Sequence, residues 1–186
     1  MVIPSKIGTI SIERATTNHA SLIFENLRSS DVTECRIQGY TPWRACHEAV
    51  LDQSGENFAL VVGGVPIALT GHAPTPEGSI EWADAGIAWL LGTDEIANNK
   101  ISFYKTTKFL IKYYSELYDF VTNEIPLANE KTLQWLTTLG CMFSLEPHIT
   151  NGHEMVNFIY CQKKFYHVIS GVEKPEISCQ PCGITG

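Results

Sequence analysis

No window of the chain approaches the ~20 consecutive apolar residues of a membrane-spanning helix, so a membrane is not an expected partner. The stretch from Met1 to Arg14 also lacks the apolar run of an export signal, which makes the cytoplasm of the producing cell the expected compartment. Basic residues are scarce. There are 13 Lys and Arg against 20 Asp and Glu, a formal net charge of -7, whereas nonspecific binding of nucleic acid rests on the opposite balance. Six cysteines in 186 residues are too few for a disulfide framework, and reduced thiols are expected. What is present suits a packed core: 44% apolar and 18% charged residues exclude a mainly disordered chain. The length predicts one domain, drawn over residues 1–166, with a Gly/Pro/Ser/Cys-rich arm or disordered tail over 167–186.

Ile7 to Ala15 alternates apolar with polar residues, the period of a half-buried strand. Asn18 suits the cap of a helix through Leu27, Asp31 that of a second ending near Gly39, and Pro42 the first turn of a third, Trp43 to Leu51. Phe58–Val62 and Val65–Leu69 flank Gly63-Gly64, which predicts a two-residue hairpin, with Pro66 on an unpaired side. Gly86 to Leu91 is apolar enough for a central strand. Ile101 to Leu117 carries Phe103, Thr107, Leu110, Ile111 and Tyr114 at helical spacing, with Lys105, Lys108 and Lys112 as a solvated stripe. A short strand at Asp119–Val121 precedes a helix capped by Asn129 and stopped by Gly140; Cys141–Leu145 and Val156–Cys161 close the order. The predicted class is mixed α+β, with a central, mostly antiparallel sheet flanked by helices.

This order resembles that of the GNAT N-acetyltransferase fold. The second acyl-CoA motif of that family has an Asn, a small residue three on, a catalytic Tyr seven on, then Gly-Phe at eleven and twelve. The same register here reads Asn129, Thr132, Leu136, Gly140 and Cys141. The strings Trp89-Leu90-Leu91-Gly92-Thr93-Asp94 and Asn129-x-x-Thr132-x-x-Trp135-Leu136-x-x-Leu139-Gly140 resemble the internal virion protein A-like family of short-tailed phages over about Ile7 to Gln162. That resemblance implies a virion-associated structural or head–tail morphogenesis protein on an inactive GNAT-type scaffold. Its partners would be portal, tail-tube or other internal virion proteins. Its place would be the virion, and the host cytoplasm during assembly. The alternative is an active acetyl-CoA-dependent N-acetyltransferase modifying a host protein or a small amine.

The chemistry bears on that choice. In this fold the pyrophosphate is held at the start of the long helix, normally by a glycine-rich loop. The stretch Asp94 to Lys100 has no glycine, and Asp94 and Glu95 place negative charge beside an anionic ligand. If acetyl-CoA binds, the resemblance implies Leu91, Gly92, Asn98, Asn99, Lys100 and Asn129 as its site; otherwise no cofactor is expected. The family's tyrosine is replaced by Leu136, which cannot ionise, so no catalytic residue is assigned; Tyr104, Tyr113 and Tyr114 read as core or stripe. Glu81 and Asp84, before the central strand, are the weak candidates for a general base.

No metal site is expected. Cys179 and Cys182 lack further ligands and read as free thiols, and His19, His47, His72, His148, His153 and His167 read as ordinary surface histidines. Trp43, Trp82, Trp89 and Trp135 read as core or interface anchors.

Overall fold

The computed structural model describes residues 2–76 and 84–161. Glu81, Trp82, His167, Cys179, Cys182 and the boundary drawn before the tail lie outside the described residues. The chain runs β1 (Lys6–Ile7), β2 (Ile10–Arg14), α1 (Thr17–Glu25), α2 (Ser29–Ile37), α3 (Pro42–Leu51), β3 (Glu56–Val62), β4 (Val65–Pro74) and β5 (Ala85–Gly92). It continues through a 3₁₀ turn (Asp94–Asn99), α4 (Lys100–Leu117), β6 (Phe120–Pro126), α5 (Glu130–Leu139), β7 (Met142–Phe143), β8 (His148–Thr150) and β9 (His153–Cys161).

The period of two in β3 sets the layers. Phe58 and Leu60 face α4 with Ile10, Ile12, Leu110 and Val121, while Ala59 and Val61 face α1 and α3 with Ala20, Ile23 and Cys46. Along one path the sheet order is β1-β2-β3-β4-β5-β6-β9-β7, with β8 beside β9. Every pairing is antiparallel except β5 with β6, which the α4 crossover makes parallel. The architecture is the mixed α+β sheet expected from the sequence.

The β3–β4 turn forms as expected, with Gly63 and Gly64 at φ +57° and +84°, values that L side chains adopt at a cost. Pro66 pairs with Val61 on β3, and on the other edge of β4 the pairing with β5 begins only at Ala68. Asn129 caps α5, its side chain accepting the Thr132 N–H at 3.2 Å, and Gly140 ends it at φ +95°.

Several boundaries differ for local reasons. The first strand is a small hairpin broken at Gly8-Thr9, and α1 is capped by Thr16, whose hydroxyl accepts the His19 N–H at 3.3 Å, rather than by Asn18. Asp31 does not cap α2; it lies within the first turn and is buried. The strand expected over Cys141–Leu145 shortens to two residues, because the Cys141 N–H closes α5 on the Leu136 carbonyl and the Asn157 N–H turns to the Ser144 hydroxyl. The Asn151-Gly152 turn, with both residues at positive φ, folds β8 back on β9.

Candidate active site

The parallel pair β5–β6 diverges. Backbone pairing runs only from Ala85↔Phe120 to Ile87↔Thr122, after which the Asn123 side-chain amide donates to the Ala88 carbonyl at 2.9 Å. Beyond that point the strands open around a cavity of about 790 Å³. Its walls are the open edge of β5, the inner face of α4, the start of α5, and α2 across the mouth. This opening explains why Ala88 to Leu91, within the Gly86 to Leu91 run expected as a central strand, is only half-buried.

A buried charge network holds α2 over the cleft. The Asp31 carboxylate accepts the Gly92 N–H at 2.6 Å and the Arg28 Nη2 at 2.8 Å, and the Arg28 N–H donates to the Gly92 carbonyl at 2.9 Å. Ion pairs of this kind are costly to break one-sidedly, because the remaining charge stays desolvated. At the other end of the helix the Asn151 amide donates to the Ile37 carbonyl at 2.7 Å. The helix is thus tied to both sides of the opening.

Three residues after Asp31, on the same helical face, Glu34 lines the cavity. The Asn129 side-chain amide donates to its carboxylate, so one asparagine both caps α5 and grips Glu34. Burial pushes the Glu34 carboxyl up from 4.5 to about 7, against the lowering effect of the Asn129 bond. Cys35 also lines the cavity, but burial pushes its thiol up to about 11, which leaves it protonated and a weak nucleophile at neutral pH.

The positions implied for acetyl-CoA separate. Leu91, Lys100 and Asn129 line the cavity; Gly92 is buried with its N–H held by Asp31, and Asn98 and Asn99 turn toward Glu95 through their side-chain amides. Leu136 lines the cavity as a buried apolar residue. Asp84 sits at the opposite end of β5, bonded through its backbone to Asp119, and so stands roughly 26 Å of strand from Gly92. Sequence reasoning missed Glu34 and the Arg28–Asp31 pair. The available signal was two carboxylates at i and i+3 on a helix with no continuous apolar stripe.

His72 is not a surface histidine. It is 4% exposed, shares a 2.9 Å hydrogen bond with the Tyr118 hydroxyl, and approaches Glu56 at 3.5 Å; desolvation lowers its pKa. Among the described residues no cluster of His, Cys, Asp and Glu has the geometry of a metal site. The four described cysteines are free and buried, and Lys105, Lys108 and Lys112 are exposed as expected.

No family model and no curated protein matches the chain. Solved structures do match. The ribosomal-protein-S5-alanine acetyltransferase from Vibrio fischeri superposes with a TM-score of 0.58 at 12% identity, over 85% of this chain and 96% of that one. A ribosomal L7/L12 alpha-N-protein acetyltransferase in complex with coenzyme A gives 0.60 at 10% identity, over 87% and 98%. An aminoglycoside acetyltransferase, also with coenzyme A, gives 0.60 at 13% identity, over 86% and 99%. The fold is therefore that of the GNAT acetyltransferases.

Proposed function

We propose that the protein is an acetyl-CoA-dependent N-acyltransferase acting on a cationic amine. The observation that carries this reading is Glu34, a carboxyl pushed up to about 7 on the wall of a cleft opened by the divergence of two parallel strands. An amine reaches neutral solution mostly as its ammonium form and attacks only after losing a proton. A base whose pKa lies near the working pH is best placed to take it. Glu124, also on the cavity wall, adds a second acidic group toward which a cation is drawn.

The cleft fits an acyl-CoA. Its volume is ample, the edge of β5 beyond Ile87 is unpaired with β6, and two buried side-chain donors on its wall, Tyr114 and Trp135, have no partner among the described residues. Bound acetyl-CoA supplies the activated thioester. On this chain Lys100 and Lys131, at the first turns of α4 and α5, would meet its phosphates in place of a glycine loop. The coenzyme A-bound structures of the same fold support this reading.

Calorimetry with acetyl-CoA tests it. We expect a saturable heat, and at a ligand concentration of 100 Kd a stabilisation of about 2.7 kcal/mol that raises the thermal midpoint. No heat and no shift at millimolar ligand would reject the enzymatic reading. That result would favour the second one, a virion-associated structural protein whose partners are other phage virion proteins. The held Gly92 N–H, the glycine-free turn and Leu136 weigh against catalysis and carry no sign of a virion of their own. Mass spectrometry of purified particles would then have to find the chain.

A further inference from the structure

Three tyrosines of α4 are candidates to replace the hydroxyl missing at Leu136, and the structure separates them. The Tyr104 hydroxyl accepts from Lys108 at 3.0 Å and donates to the Thr138 carbonyl at 3.4 Å. The Tyr113 hydroxyl donates to Glu56 at 2.6 Å. Tyr114 is 2% exposed, lines the cleft, and its hydroxyl has no hydrogen-bond partner among the described residues. Thr70 is near enough to influence the phenol's ionisation, but it lies outside hydrogen-bonding geometry to the Tyr114 hydroxyl and donates its own to the Trp89 carbonyl at 2.8 Å.

Buried hydroxyls are nearly always paired, because an unmade bond forfeits hydration without replacement. The phenol ring is nonetheless firmly held. His72 meets it at a tilt of 50° with centroids 4.7 Å apart, Tyr113 meets it edge-on at 6.0 Å, and His72 is itself anchored by Tyr118. A rigid ring that carries an unspent donor at the wall of a cavity is arranged for something that enters the cavity. Trp135, whose indole N–H also lacks a partner among the described residues, lines the same space.

We infer that the Tyr114 hydroxyl donates a hydrogen bond to the thioester carbonyl of the bound acyl donor, a bond already made in the ground state that strengthens as negative charge develops there. The inference rests on the N-acyltransferase reading above. Desolvation holds this phenol well above its ordinary 10, so it keeps its proton at neutral pH. A thiolate, with an ordinary thiol pKa of about 8.5, is too weak a base to remove it. Tyr114 therefore acts as a neutral donor of the oxyanion-hole type and transfers no proton.

The test compares Tyr114→Phe with the wild type in two measurements that need no acceptor. The first is the thermal midpoint without ligand, which should stay level or rise, since the substitution removes a hydroxyl that the fold leaves unpaired. The second is calorimetry with acetyl-CoA and with free CoA. We expect acetyl-CoA to bind about tenfold more weakly to the variant while CoA affinity stays unchanged, the loss of one hydrogen bond to the thioester. Equal affinities of the two proteins for both ligands would overturn the inference. A fall in the midpoint with affinities unchanged would also overturn it and assign the hydroxyl to a structural water. If the wild type binds neither ligand, the N-acyltransferase reading fails first and this inference falls with it.

Discussion

Glu34→Gln slows amine acetylation by about 10²- to 10⁴-fold at pH 8, the usual contribution of a positioned general base. The glutamine keeps the shape and can still accept the Asn129 amide, so loss of the base is separated from loss of the cleft. In the wild type the rate should rise with pH through about 7 as the carboxyl ionises, and in the variant this rise should disappear. Stability should move the other way. The folded-state pKa of Glu34 is raised, so its favourable contribution is complete below about pH 4.5. It then falls as the pH climbs toward 7, where the unfolded chain ionises and the folded one resists. Above pH 7 the full penalty is present. The variant, which has nothing to ionise, should gain about 2 kcal/mol relative to the wild type between pH 4.5 and pH 8, after allowance for partial exposure. Urea midpoints at the two pH values check this; equal differences at both would remove Glu34 from the role assigned to it.

Asp31→Ala should be the most destabilising single change in the cleft. It strands the Arg28 guanidinium beside a buried strand end and leaves the Gly92 N–H without its acceptor. One-sided loss of a buried ion pair costs about 3–5 kcal/mol, a large share of a domain's stability. Asp31→Asn, which still accepts from Gly92, should cost less. Because Asp31 pins the helix that carries Glu34, both variants should lose amine acetylation even at temperatures where they remain folded. Denaturation midpoints measured together with kcat test the coupling. Full activity in a folded Asp31→Ala variant would show that α2 does not position the base.

Local chemistry made most of the elements legible. Gly63-Gly64 demanded positive φ, Asn129 and Gly140 marked both ends of α5, and the apolar spacing of Phe103, Leu110 and Ile111 outlined α4. The Asn151-Gly152 turn carried an equally clear signal that went unread, and with it the β8–β9 hairpin. The candidate site was far less legible. Glu34 sits in a polar stretch, Ser29 to Glu34, that reads as solvated surface, and Tyr114 sits in an apolar stripe that reads as core.

The difference is one of range. Turns, caps and periodic faces are decided by residues within about a helical turn of one another, so the sequence by itself determined the strands, the helices and the mixed sheet. The cleft is made by contacts that no local pattern encodes. Asp31 meets Gly92 across 61 positions, Asn129 reaches Glu34 across 95, and the opening between β5 and β6 exists only because two strands paired over three residues then part. Burial turns Glu34 into a near-neutral base and leaves Tyr114 an unspent donor, and burial is settled only when the whole sheet and its helices have closed around them.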